Sequence, residues 1–306
     1  MSSSVSGKGM ARKLLVGLAA VALGTAACSA SATPTPTATP GIHWLVTAAA
    51  LPLISGSTGN QKLVTNAFDN ARTDIMGPPP AGWAPPVAQV RGFESLADFR
   101  SAFPNLAPGT WVLYDLESWS ASDPDNTDPA TYLKNFVALA HSNPDPSKWL
   151  HVIAAPAADV GSAITVSSCN VAGEPGWRNY VDNCDVPAMV GEAKPDLFEI
   201  QSQSIERCTD SKVKNCATTF PTFVGDSLAQ ARTKDPGLTA LAGLSTNPSG
   251  ATSSGAVLDT DTRNTASMVE GYWLNVPQKG SACKLCQPGG EPQVAVDYLH
   301  DLGYTG

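Results

Sequence analysis

The chain has 306 residues and carries 19 basic against 27 acidic side chains, a formal net charge of −8. With 42% hydrophobic and only 15% charged residues, it is too apolar to be disordered throughout, and it contains no run of ~20 apolar residues long enough to span a bilayer. A pI of 4.9 excludes the basic surface that a phosphate backbone demands, so no nucleic-acid partner is expected.

The first segment reads as an address. Lys8, Arg12 and Lys13 precede an apolar stretch from Leu14 to Ala27. That stretch is too short to cross a membrane and fits the apolar region of an export signal. It ends in Thr25-Ala26-Ala27-Cys28. Small residues before a cysteine resemble the lipobox of bacterial lipoproteins, which implies cleavage before Cys28, a lipid on its sulfur and a tether to the outer face of a membrane. Cleavage after Ala27 without lipidation would instead release a secreted protein. Loss of residues 1–27 removes three basic side chains and no acidic one. Residues 28–40, with Ser29–Pro40 reading SASATPTPTATP, form an extended spacer that cannot build a core. The folded domain is expected over 41–306.

Within that domain short strands alternate with helices. Ile42–Val46 is an apolar run that reads as a strand. Lys62–Arg72 places Leu63, Val64, Ala67, Phe68 and Ala71 at helical spacing. Val87–Glu94 reads as a strand and Leu96–Phe103 as a helix. Thr110–Glu117 (TWVLYDLE) is the strongest strand. Asp128 caps a helix whose first position is Pro129, with Tyr132, Leu133, Phe136, Val137 and Ala140 as its apolar stripe. Leu150–Ala155 and Leu197–Ser202 read as strands. Asp226 caps a helix through Arg232, Leu238–Leu244 and Val269–Asn275 read as strands, and Pro292–Leu302 closes the chain as a helix. Ser122–Asp128, Asp259 and Asp261 read as solvated acidic segments.

Seven strands separated by helices or long loops imply parallel pairing. The length fits a (β/α)8 TIM-like barrel. A doubly wound open parallel sheet is the alternative, but no glycine-rich phosphate turn follows the first strand. Leu51–Ile54 and Thr222–Val224 are candidates for the eighth strand.

Cys169, Cys184, Cys208, Cys216, Cys283 and Cys286 are an even set, which in an exported chain reads as disulfides. Six cysteines allow 15 connectivities; pairing nearest neighbours would staple three short loops. The lone CxxC and the four scattered histidines lack zinc spacing, and no metal or cofactor is expected.

Candidate chemistry gathers at two strand ends. Side chains alternate faces along a strand. Val112, Tyr114 and Leu116 should therefore meet helices, and Leu113, Asp115 and Glu117 should point into the barrel. On the later strand Phe198 and Ile200 should face out, and Leu197, Glu199, Gln201 and Gln203 in. Catalytic residues of such barrels lie at the carboxyl ends of the strands. Buried carboxylates are costly unless paired, bonded or used, and two acids flanking a bond are what glycoside hydrolysis needs. Glu117, Asp115 and Glu199 are the catalytic candidates. Trp119, Gln201, Gln203, Tyr272, Trp273, Asn275 and His151 are the substrate-binding ones, because sugar faces stack on rings and hydroxyls bond to polar tips.

The strand end YDLESW, Tyr114 to Trp119, resembles the acidic strand end of (β/α)8 glycoside hydrolases, and in outline the D-x-E end of the chitinase-type signature. The wider chain resembles exported proteins of high-GC Gram-positive bacteria. The resemblance implies Glu117 as general acid, Asp115 as its orienting partner, and a carbohydrate or cell-wall glycan as the partner. Leu113 and Thr110 stand where that signature has further aspartates, and the specific motif covers only Asp115–Trp119. A non-catalytic carbohydrate-binding or cell-wall-associated lipoprotein is the alternative reading.

Overall fold

A computed structural model describes residues 41–59, 61–83, 88–117, 122–158, 169, 171–206, 216–248, 253–280, 284 and 286–306. The leader with Cys28, the linker, Trp119, Cys208 and Cys283 lie outside the described residues. Eight strands pair in chain order and close on themselves. They are β1 (His43–Thr47), β2 (Thr73–Met76), β3 (Ala88–Phe93), β4 (Trp111–Tyr114), β5 (His151–Ala154), β6 (Leu197–Ile200), β7 (Thr239–Ser245) and β8 (Gly271–Asn275). Every pairing is parallel. The fold is a (β/α)8 barrel, and the open doubly wound sheet is excluded by the pairing of β1 with β8.

The eighth strand is β2, which neither candidate had located. Its sequence TDIM carries no apolar run. Thr73 and Asp74 are nevertheless buried, and Asp74 Oδ2 sits 2.7 Å from His43 Nε2. Leu51–Ile54 instead belongs to helix α1 (Ala50–Thr58). Helix α2 (Gln61–Phe68) follows it. Thr222–Val224 falls inside a long helix, numbered α7 below, that begins at Cys216 rather than at Asp226.

Two separate apolar clusters confirm the alternation of faces. The larger lies between strands and helices and includes Val112, Tyr114, Leu116, Phe198 and Ile200. The smaller fills the barrel with Leu45, Val90, Leu113, Ile153, Ala155, Leu197, Leu241 and Trp273. Helix α3 (Leu96–Ala102) starts at Ser95, whose side chain accepts from the Asp98 N–H. Helix α4 is the short turn Asp123–Asn126. Helix α5 (Pro129–Ala140) begins as the sequence dictates, with Asp128 accepting from the Thr131 N–H. Its Phe136 stacks on Phe99 of α3 and on Tyr114 of β4, at 4.0 and 4.4 Å between centroids. Helices α6 (Val186–Ala193) and α7 (Cys216–Arg232) approach so closely that a Cβ on Gly191 would overlap the Ala231 carbonyl. Helices α8 (Gly255–Thr265) and α9 (Pro292–Asp301) complete the ring.

Following the register once round the barrel returns to β1 eight residues displaced. That shear puts side chains from alternate strands at one level. Leu45, Val90, Ile153 and Leu241 form one such level. Met76, Leu113, Glu199 and Trp273 form the next toward the carboxyl ends. Above them come Thr47, Gly92, Ala155 and Gly243, and then Asp115, Gln201 and Asn275 at the mouth.

Cys169 and Cys184 form a disulfide, one of the expected nearest-neighbour pairs, and Cys286 is disulfide-bonded. Among the described residues no helix is long and apolar enough to cross a membrane.

At the amino end of the strands Asp196 joins three elements. It accepts from the Val152 N–H of β5 at 2.7 Å and lies 3.1 Å from His141 Nε2 and 3.6 Å from His151 Nδ1. Burial pushes its carboxyl up, but His141, the Val152 N–H and His151 outweigh it and hold the group below the ordinary range. A carboxylate so depressed stabilises the fold above its unfolded titration range and loses that contribution as the pH falls through the folded one. Asp196→Asn keeps an acceptor and loses the charge. Thermal melts should show the variant less stable at pH 7 by about 1–2 kcal/mol, with the gap closing as the pH drops below 4 or so.

Candidate active site at the barrel mouth

The mouth is built from the ends of β4 and β6. Asp115 and Glu117 continue the inward-facing series of β4 after Leu113, and both are half-buried. Two contacts set this strand end. The Asp115 N–H donates to the Phe93 carbonyl, and the Asn126 amide of α4 donates to the Glu117 carbonyl at 2.9 Å. Alongside, Gln201 at the end of β6 donates from Nε2 to Asp115 Oδ1 at 2.9 Å and to the Ala155 carbonyl at 2.8 Å. One amide thus fixes the aspartate to β5 and β6 together.

Glu199 lies one level deeper and is fully buried. Neither of its carboxyl oxygens has a hydrogen-bond partner among the described residues. Burial, then the charges of Asp115 and Glu117, push its carboxyl well above the ordinary range. Burial thus favours its proton-bearing form. The same electrostatics bring the three acids of the two strands into one neighbourhood. Trp273 shares the Glu199 level, and its indole N–H is buried with no partner among the described residues. Gln203 bends in from beyond β6, where its amide occupies the space that a Cβ on Gly243 would need. Asn275 ends β8 half-buried, at the level of Asp115 and Gln201.

Two sequence candidates stand elsewhere. Tyr272 faces the helices, not the interior. Its hydroxyl donates to the Thr262 carbonyl at 2.8 Å and meets Thr265 Oγ1 at 3.0 Å. Its neighbour Trp273 points in, and adjacent strand residues cannot share a face. His151 is inward-facing by register but opens β5, so it lies at the amino end of the barrel. There it stacks on Trp111 at 4.8 Å, away from the mouth. Cys216 is the first residue of α7.

Other residues were misjudged or missed. Asp125, in the segment expected to be solvated, is buried; it accepts from the Tyr114 hydroxyl at 2.5 Å and the Leu96 N–H at 2.7 Å. Asp261 is buried on α8 rather than solvated, and burial raises its carboxyl to about 7. Asp259 pairs with Arg263 at 2.7 Å on the same helix. Glu206 was not singled out. It is buried beyond β6, accepts from the Ser245 N–H at 2.6 Å, and is pushed well up by burial, against that bond and with the Asp261 charge adding to it. The run Gln201–Glu206 had no periodicity to mark it, but its density of polar side chains after a buried strand was visible.

No protein-family model matches the chain, and no curated protein matches it. Among solved structures it is similar to an endo-beta-mannanase/endo-beta-glucanase of Prevotella bryantii, with a TM-score of 0.40 and 10% identity. The match covers 82% of this chain and 43% of that one, so this chain spans less than half that enzyme's length. A likeness of that degree carries no argument about activity; the barrel rests on its own strand pairing.

The unpartnered acid has a measurable signature. The folded state holds the Glu199 proton more tightly than the unfolded chain does. As the pH rises above the ordinary carboxylate range the unfolded chain releases that proton first, and folding becomes less favourable. Glu199→Gln has no such penalty. Melts across pH 4 to pH 8 should show the variant gaining on the wild type steadily, and a gap that stayed constant would mean the acid is not held neutral.

Proposed function

We propose that this protein is an exported glycoside hydrolase acting on a polysaccharide or cell-wall glycan through carboxylate acid–base chemistry. The observation that supports the reading is the convergence at the barrel mouth of two half-buried carboxylates, Asp115 and Glu117, over a third, fully buried acid whose carboxyl burial pushes well above the ordinary range. A carboxyl without a partner in an apolar layer is costly to keep for structure alone. Perturbed acids in a concave mouth mark functional sites more often than structural ones.

The roles follow from exposure. Glu117 stands highest and is in reach of a bound sugar, so it protonates the leaving oxygen. Asp115, fixed by Gln201, faces the positive charge that develops at the anomeric carbon. Glu199 is the proton-bearing partner beneath them, and its neutral form spares the site a third negative charge. Trp119, Trp273, Gln203 and Asn275 are assigned to substrate.

The deciding measurement is reducing-sugar release from a panel of polysaccharides and cell-wall glycans. Release should fall by at least about 100-fold in Glu117→Gln, the usual worth of a positioned acid. Binding without release would replace this reading with a non-catalytic carbohydrate-binding protein. Neither binding nor release would leave the acids as structural groups.

The export part of the proposal rests on residues 1–28. A lipid on Cys28 would hold the protein at the outer face of the membrane. Expressed in a lipoprotein-processing host, the wild type should incorporate labelled palmitate and partition into detergent. Cys28→Ala should do neither, and a wild type that stays unlabelled would make the protein simply secreted.

A further inference from the structure

The short turn α4, with the Ser122 that precedes it, is held by more buried polar contacts than a surface turn needs. Ser122, Asp125 and Asn126 are all buried, although the composition of the segment reads as solvated. The Ser122 hydroxyl donates to the Glu94 carbonyl at 2.5 Å. Asp125 accepts from the Leu96 N–H and the Tyr114 hydroxyl. The turn is thereby fixed on two sides, to the start of α3 and to the outer face of β4. Its own backbone is closed by the Asn126 N–H, which donates to the Ser122 carbonyl at 2.9 Å. This framework holds the Asn126 side chain in place. Its Nδ2 donates to the Glu117 carbonyl at 2.9 Å, and its Oδ1 is buried with no partner among the described residues. The bond comes where the ladder of β4 is running out. The strand ends at Tyr114, the Ala157 N–H still donates to the Leu116 carbonyl at 2.9 Å, and Glu117 is the next residue. A buried amide with one end unpaired costs stability. What it supplies in return is a fixed main chain at the mouth acid.

We propose that Asn126 is a positioning residue for Glu117. It acts through the backbone of the acid, and Asp125 and Ser122 anchor the turn that presents it. A general acid must come within hydrogen-bond reach of the oxygen it protonates, and a misplacement of about 1 Å costs roughly 100-fold in rate. Fixing the Glu117 carbonyl sets the direction in which the chain leaves β4, and with it the arc open to the Glu117 carboxyl. The inference rests on the reading above, in which Glu117 protonates the leaving oxygen. It goes beyond that reading by assigning the residue that determines where the proton is delivered.

The test uses the full chain, soluble oligosaccharides of glucan, mannan and chitin type, and the dinitrophenyl glycosides of the same sugars. A dinitrophenolate departs without a proton, whereas a sugar alkoxide needs one from the general acid. In Asn126→Ala, kcat on the oligosaccharides should fall by at least about tenfold with KM little changed, and kcat on the dinitrophenyl glycosides should fall far less. Added to Glu117→Gln, the same change should cost nothing further on the oligosaccharides, because residues that act as a unit are not additive. A turn that is only structural would, when loosened, slow both substrate classes alike and add its loss to that of Glu117→Gln. Either result overturns the proposal and leaves the hydrolase reading standing. Asn126→Ser, a smaller change, is read by the same comparisons if the alanine variant does not fold. If the wild type cuts neither class of substrate, the hydrolase reading falls and the positioning role falls with it.

Discussion

Closing eight parallel strands with a shear of eight residues decides which side chains can meet. Neighbouring strands cannot contribute to the same interior level; alternate strands must. Met76, Leu113, Glu199 and Trp273 are far apart in sequence, yet closure stacks them as one floor. The helices outside carry most of the apolar packing, through Trp44, Phe99, Phe136, Phe198, Tyr298 and their neighbours. The interior cluster is small by comparison. That division of labour frees the upper interior from holding the barrel together.

Two buried acids show how a structural carboxylate differs from one with another use. Asp125 is as buried as any core residue, and its accepted bonds from Tyr114 and Leu96 tie β4 to the start of α3. Burial is offset there by the two accepted hydrogen bonds. Glu199 shares its level with Met76, Leu113 and Trp273 and has no hydrogen bond among the described residues. Burial without a partner costs several times what a typical hydrogen bond returns. Burial favours its protonated form, and the Trp273 indole N–H at the same level is likewise without a partner among the described residues. Asp115 lies between these cases, held by Gln201 yet still half-exposed.

The alternation of apolar side chains made most strands legible, and the Asp128–Pro129 cap made α5 legible to the residue. It failed at β2, where Thr73 and Asp74 are buried by partners distant in sequence, His43 above all. The same limit hid Asp125, Glu206 and Asp261, whose polarity reads as exposure until the fold supplies a neighbour. Two misplacements had a signal in the sequence. Tyr272 and Trp273 are adjacent and cannot share a face. His151 opens its strand, and only the closing residues of a parallel barrel strand reach the mouth. The inward assignments of Asp115, Glu117, Glu199 and Gln201 needed only the period of two.

Gly92 and Gly243 occupy the same interior level and mean different things. A side chain on Gly243 would collide with Gln203, so that glycine is explained by what lies on it. Gln203 is a polar lid tucked into the barrel, and the glycine lets it lie flat. Gly92 has nothing within 4 Å of a Cβ among the described residues, and its backbone is not left-handed. A side chain there would stand at the exposed rim with no contact to gain among the described residues.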